Sequence, residues 1–343
     1  MTGQLRISTI FAPTGERIMK AVVNTKYGSP DVLKLQEVDK PVPEENEVLI
    51  KIWATTVSAT DTHYRRADPF VIRFMNGLTS PKNGILGGLF AGEVEATGEN
   101  VTLFRKGDQV FGSSNTGFGA HAEYICLPED GVLAIKPDAM AYEEAAGLPE
   151  ALTGLYYLRD LAKIRSGQKI LINGASGGIG SFAVQLARHF GAEVTGVCST
   201  RNMAMVKSLG ADRVIDYTKE DFTKNGRTYD IIFDTVGKSS FTRCKDVLTE
   251  NGIYLNPVLG LKILFQTALT SQTGDKKAVI GFAGLNQTQE DLIMVQELAE
   301  SGQLQPVVDR CYSLHQAAEA HAYVEKGHKK GSVVLLLSHN GRH

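Results

Sequence analysis

Gln168-Lys-Ile-Leu-Ile-Asn-Gly-Ala-Ser-Gly-Gly-Ile-Gly180 decides the fold of this chain. An apolar strand runs directly into a glycine cluster, and the cluster runs directly into an amphipathic helix. Gly177, Gly178 and Gly180 supply a tight turn, close backbone approach to a ligand, and close packing of helix on sheet. The amides that open the helix are unsatisfied donors at the positive end of its dipole, so Ser176, Gly177, Gly178 and Ile179 form a cradle for a pyrophosphate. A dinucleotide is the expected ligand.

Working outward, the residues after about 143 alternate strand and helix, the pattern of a parallel, doubly wound sheet. The sequence predicts strands at 168–173, 193–198, 213–216, 229–234, 252–256 and 277–283. Helices are expected near 143–164, 178–190, 201–209, 239–249 and 288–301. Residues 19–142 read differently: short apolar runs at 20–24, 47–54, 90–96 and 120–127 are separated by glycine, proline and acidic turns. The tail offers a strand around 305–311, a helix over 314–326 and a final strand, Ser332-Val-Val-Leu-Leu-Leu337. It is expected to return to the first, β-rich region. The fold class is therefore α/β. A nucleotide domain over 143–287 is inserted in a β-rich domain made of 19–142 and 288–343, with the ligand cleft between them. Residues 1–18 read as an extension, because Met19-Lys-Ala-Val-Val starts a strand.

Composition excludes several classes. The chain has 343 residues and a net charge of −2, which gives no general attraction to nucleic acid or to an anionic membrane surface. No apolar run reaches spanning length; the longest, near 258–269, is broken by Gly260 and Lys262. The N-terminus lacks the basic, apolar, small-residue order of a secretory signal. Cys126, Cys198, Cys244 and Cys311 are scattered, as thiols are in a reducing compartment, so a cytoplasmic location is expected.

Across Met19–Leu337 the chain resembles the medium-chain dehydrogenase/reductase superfamily, and within it the zinc-free quinone oxidoreductase branch. The resemblance is carried by Tyr27-Gly-Ser-Pro-Asp-Val-Leu33, Gly88-Leu-Phe-Ala-Gly-Glu-Val-Glu-Ala-Thr-Gly98 and Lys106-Gly-Asp-Gln-Val-Phe-Gly112. Gly119-Ala-His-Ala-Glu-Tyr124, Ala145-Ala-Gly-Leu-Pro-Glu-Ala-Leu-Thr-Gly154, the glycine cluster and Leu209-Gly-Ala-Asp-Arg-Val-Ile-Asp-Tyr217 follow in order. It implies a GroES-like catalytic domain and a six-stranded Rossmann sheet. The short-chain reductases share the glycine cluster, but they begin with it and carry Tyr followed by Lys four residues later. No Tyr downstream of this cluster has that partner.

The resemblance also locates the zinc ligands of metal-dependent relatives, a Cys within Val57–Asp61 and a His after Gly87. Ala59 and Gly88 stand there, and a zinc ion needs side chains with lone pairs. Asp61, His63 and His121 are the remaining donors nearby, and no metal site is expected.

NAD-preferring folds carry a carboxylate at the end of the second strand. Here that strand ends in Ser199-Thr-Arg-Asn202, so Ser199, Thr200 and Arg201 are the expected readers of a 2′-phosphate, and NADPH the cofactor. From the resemblance, Tyr217 lies near the adenosine and Thr153 near the nicotinamide amide. Gly237 lines the cofactor cleft, and Asn256 and Phe282 flank the nicotinamide. Quinones and enones are electrophilic enough to accept hydride without a metal, given a donor at the carbonyl oxygen. Ser58-Ala-Thr-Asp-Thr-His-Tyr64 faces the nicotinamide in relatives, with Asn commonly at Ser58. Within it Tyr64 is the first choice of acid, His63 the second and Thr60 a further hydroxyl donor, while Ser58 is expected to contact the cofactor. Leu89, where many relatives have Asp, makes the floor apolar. Phe70, Ile72, Phe74, Met75 and Leu78 are candidates for a substrate pocket, and Pro257–Phe265 for a lid.

The expected activity is NADPH-dependent reduction of quinones or activated alkenes by a homodimer, joined as in relatives through the edge strand Lys277–Phe282. A zinc-type alcohol dehydrogenase or ketone reductase, and an NADPH-binding sensor without turnover, are the alternatives.

Overall fold

A computed structural model describes residues 18–339 apart from 83, 116, 117, 259 and 274. Most of the expected N-terminal extension, residues 1–17, lies outside that range. The chain opens with an antiparallel ribbon, β1 (Ile18–Asn24) and β2 (Leu33–Asp39), followed by β3 (Glu47–Thr56). Two short helices, α1 (Ala59–Arg66) and α2 (Ile72–Asn76), precede β4 (Leu89–Thr97), β5 (Gln109–Ser113), β6 (Tyr124–Pro128) and β7 (Leu133–Ile135). Helices α3 (Tyr142–Gly147) and α4 (Glu150–Leu155), the latter continued by a π-turn over Tyr156–Leu161, lead to the parallel sheet.

That sheet is built from β8 (Lys169–Asn173), α5 (Gly178–His189), β9 (Glu193–Cys198), α6 (Met203–Ser208), β10 (Arg213–Asp216) and β11 (Tyr229–Asp234). It is completed by α7 (Phe241–Cys244), β12 (Leu248–Leu255), α8 (Leu261–Thr273) and β13 (Lys277–Val279). Its order is β10-β9-β8-β11-β12-β13, all pairs parallel. The order reverses between β9 and β11, beside β8, and that reversal is where an open α/β sheet forms its ligand crevice. β8 exposes only Lys169 because helices cover both faces. Helix α5 is buried nearly all round, and its Phe182, Ala183, Val184, Leu186 and Ala187 join the same cluster as Ile170 and Ile172. Each large side chain so buried contributes about 1.5–3 kcal/mol.

The tail supplies α9 (Gln289–Glu300), β14 (Val308–Ser313), α10 (Ala317–Glu325) and β15 (Ser332–Leu336). β15 pairs antiparallel with β3 and parallel with β14, so the second sheet runs β14-β15-β3-β4-β5-β7, with β6 also on β3. The return of the tail to the β-rich region matches the sequence reading. Helix α9 touches both halves, packing on β7 and on α4.

One predicted strand is shorter. Residues 277–283 hold strand geometry only over Lys277–Val279, and Ala283–Leu285 form a tight turn. The Tyr157 hydroxyl takes over at Gly281, accepting from its amide at 2.9 Å and contacting its carbonyl at 2.7 Å. These polar groups are satisfied by a side chain instead of a neighbouring strand.

Candidate active site

The glycine turn is built by two positions that admit no side chain. Gly174 has φ of 83°, in the left-handed region that a Cβ disfavours. A Cβ on Gly180 would collide with the carbonyl oxygen of Gly174, so α5 can start this close to β8 only with glycine there. Sequence reading stressed Gly177, Gly178 and Gly180 and missed Gly174, whose place directly after the strand was the available signal. Ser176 is tied in place by Asn202, whose amide donates to its Oγ at 3.0 Å.

Above this turn lies a cleft of about 380 Å³ between the two sheets. One wall is Ser58, Ala59, Thr60, Asp61 and Tyr64 on α1 and its cap; another is Gly177–Gly180 at the head of α5; Pro149, Glu150 and Thr153 on α4 close a third side. Leu89, Phe118, Val236 and Val324 add apolar surface, and Lys329 the one lysine among the lining residues. Ser58, Thr60, Tyr64, Thr153, Gly177, Gly178 and Ile179 thus line one cleft.

Ser58 and Asp61 have a local duty. Ser58 caps α1, its Oγ accepting from the Asp61 amide at 3.2 Å, while the Asp61 carboxylate accepts from Ser58 N at 2.7 Å and from Ser58 Oγ at 2.6 Å. Its other oxygen accepts from Gly87 N at 2.9 Å. This is a capping box, legible in Ser-Ala-Thr-Asp, and it leaves both Asp61 oxygens engaged and Ser58 committed to the helix. Tyr64 differs. Its ring packs on Phe118 with centroids 4.6 Å apart, burial raises its phenol above its ordinary value, and its hydroxyl has no protein partner among the described residues.

His63 is a correction. It is absent from the cleft lining; its Nδ1 sits 2.7 Å from the carbonyl of Asp68 and fastens the turn after α1. The aromatic segment is another. Phe70, Phe74, Met75 and Leu78 are exposed, Ile72 is buried, and none lines the cleft. Gly237, Asn256 and Phe282 also lie outside the lining. Gly237 is left-handed, facing Val258, Asn256 accepts from Val258 N at 2.8 Å, and Phe282 is exposed. Thr235, Gly284 and Gln287 line the cleft instead. The proposed lid is in part helix α8, and residue 259 falls outside the described residues.

At the outer end, Thr200 donates to Asp216, which also accepts from Thr218 N and Oγ1; these bonds hold its carboxyl at about 2. The Thr200 hydroxyl is therefore engaged. Ser199 is half-buried, and Arg201 is exposed with Nη2 donating to the His328 carbonyl at 2.8 Å. The Tyr217 amide donates to Cys198 O at 3.1 Å, which keeps Tyr217 beside Ser199 with an exposed ring.

The donor set does not fit a zinc ion. Ala59 and Gly88 line the cleft without side-chain lone pairs, both Asp61 oxygens are engaged in hydrogen bonds, and His121 is buried with Nε2 3.0 Å from Thr56 O. Among the described residues no three His, Cys, Asp or Glu side chains group as ligands.

Residues 209–335 match the zinc-binding dehydrogenase family and residues 44–137 the alcohol dehydrogenase GroES-like domain. The chain is 34% identical to the 2-methylene-furan-3-one reductase of Solanum lycopersicum, over 92% of this chain and 79% of that protein. It is 31% identical to the chloroplastic NADPH-dependent alkenal/one oxidoreductase of Arabidopsis thaliana, with the same coverage. Among solved structures, the quinone oxidoreductase of Coxiella burnetii superposes with a TM-score of 0.83 at 31% identity, covering 94% of this chain and all of that one. With family matches over 44–137 and 209–335 and relatives of 31–34% identity along nearly the whole chain, this protein belongs to the medium-chain dehydrogenase/reductase superfamily, in its quinone oxidoreductase branch.

Proposed function

We propose that this protein transfers hydride from NADPH to quinones or to alkenes activated by a conjugated carbonyl. The observation that carries the reading is a cleft joining a phosphate-cradling turn to an apolar wall with one unpartnered phenol, Tyr64, and no set of metal ligands. NADPH supplies the hydride when bound. The amides at the head of α5 hold its diphosphate, Thr153 approaches the nicotinamide end, and Ser199 and Arg201 read the 2′-phosphate, with Thr200 and Tyr217 framing them. Leu89, Phe118 and Val236 exclude water from the acceptor. Tyr64 donates a hydrogen bond, then a proton, to the carbonyl oxygen that gains charge as the acceptor is reduced. An electrophilic acceptor needs no more polarisation than this, which supports quinones and enones over alcohols.

The relatives' names support the same substrate class and cofactor. The two-sheet partition supports a catalytic domain of 19–142 with 288–343 and a nucleotide domain of 143–287. A homodimer through the sheet's edge strand β13 is supported by exposed Phe282 and Leu285 just beyond it. Four free, scattered thiols favour the cytosol. No helix among the described residues is long and apolar enough to cross a membrane. NADPH oxidation assayed with a quinone, an enone, a ketone and, in reverse, a secondary alcohol tests the assignment. Turnover of the first two is expected, and turnover confined to the last two contradicts it.

A further inference from the structure

One carboxylate stands where the phosphate cradle should be purely cationic. Glu150 opens α4 directly after Pro149, its side chain 7% exposed, and it lines the cleft beside Gly177 and Gly178. A Cβ on Gly178 would collide with Glu150 Oε2, so the carboxylate lies against the first residue of α5. Its counter-charge is Lys329, whose Nζ is 3.9 Å from Oε1 and donates to Gly331 O at 2.7 Å. Ser332 Oγ on β15 donates to the same Oε1 at 3.2 Å.

Lys329 belongs to the short segment between α10 and β15. That segment is fastened over the glycine turn: Gly331 N donates to Ser176 O at 2.8 Å, and Arg201 holds His328 O. The tail thus carries a lysine over the position where the cofactor diphosphate must sit.

We propose that Glu150 is a proton-linked counter-ion of the cofactor site, holding Lys329 while the cleft is empty and taking up one proton as Lys329 turns to the cofactor diphosphate. This rests on the dinucleotide reading of the cleft. A diphosphate at the head of α5 places negative charge against the Glu150 carboxylate, and two anions this close favour protonation of the weaker acid. The proton comes from solvent, and no bond other than O–H is made. Burial already raises the Glu150 carboxyl above its ordinary value, and the Asp61 carboxylate across the cleft adds to the rise. Lys329 and the Ser332 hydroxyl oppose it, so moving Lys329 away raises it further. The sign follows: the protonated form binds better, and cofactor affinity falls as pH rises. Lys329, Asp61, Ser332 and the α5 amides are the groups that bear on Glu150.

Calorimetric titration of the full chain with NADPH and with ADP-ribose, in buffers of different ionisation enthalpy over pH 5.5–8.5, counts the protons. Wild type is expected to take up part or all of one proton with ADP-ribose, with Kd rising toward high pH. Glu150→Gln should abolish that uptake and flatten the profile. Comparing the two proteins removes the cofactor's own 2′-phosphate, which titrates near pH 6. Lys329→Met should raise Kd at least tenfold for NADPH, NADH and ADP-ribose alike, because the diphosphate is common to them. Binding with no proton uptake in wild type, which requires no variant to fold, overturns the proposal, as does an unchanged profile in Glu150→Gln or unchanged Kd in Lys329→Met. Absence of any nucleotide binding overturns the dinucleotide reading as well.

Discussion

Arg201 on the loop after β9 donates to the carbonyl of His328 on the segment before β15, 2.8 Å away. This bond spans the two ends of the chain's tertiary plan, since β9 lies in the parallel sheet and β15 in the other. It also spends one of five guanidinium N–H groups and leaves an exposed cation two residues from Ser199.

Arg201→Ala is therefore expected to reduce kcat/KM for NADPH about 10- to 100-fold. A hydrogen bond to a charged group is worth about 1.5–3 kcal/mol. NADH should be affected much less. Steady-state kinetics with both cofactors check this; an equal loss for the two would assign Arg201 to fastening the tail alone.

Tyr64→Phe removes one hydroxyl and keeps the packing on Phe118. Loss of a general acid costs about 100-fold or more in rate. The expected result is a fall of that size in enone turnover with NADPH affinity unchanged, as read by cofactor fluorescence. Because burial raises the phenol above its ordinary value of 10.0, wild-type activity should not decline from Tyr64 ionisation until the pH is above that value. A Tyr64→Phe enzyme with wild-type kcat removes Tyr64 from the mechanism.

Gly180→Ala sets a methyl group against the Gly174 carbonyl, which is backbone and has nowhere to yield. Either α5 shifts and the cradle opens, or the variant is less stable. We expect NADPH Kd to rise more than tenfold with a lowered Tm. Gly167→Ala, where a Cβ meets nothing but φ is 82°, serves as a control that costs stability without cofactor affinity.

Arg65 is fully buried between α1 and α10, where its guanidinium pairs with Glu325 and Gly28 O. Glu325→Ala strands the cation, and breaking a buried pair costs about 3 kcal/mol. Thermal unfolding should show a Tm several degrees lower. A Tm within one degree of wild type would mean that water replaces Glu325.

Much of this architecture was legible in the sequence because it is written in periodicity. All six strands of the parallel sheet overlap their expected places, as do α5, α6 and α9; α8 was not expected, the helix expected over 239–249 is α-helical only over Phe241–Cys244, and β13 is cut short, by the Tyr157 hydroxyl from a distant helix. The cradle was legible in glycine spacing, whereas the Ser58–Tyr64 wall was expected from the family resemblance alone, and its helix α1 was not foreseen. What escaped depends on contacts between remote segments. Glu150 lies within the expected helix 143–164 and Lys329 between an expected helix and strand, and the sequence assigned neither a role. Neither gains a role until α4, α5 and the tail converge. His63 and the Phe70–Leu78 segment failed in the opposite sense: their chemistry suited the cleft, but the short helices point those residues elsewhere.

The most direct test of the central claim is NADPH oxidation by the protein treated with a strong chelator, offered a quinone and an enone. The account predicts turnover of at least one acceptor at the untreated rate. Activity that vanishes on chelation and returns with zinc contradicts it, as does a protein that binds NADPH and reduces neither.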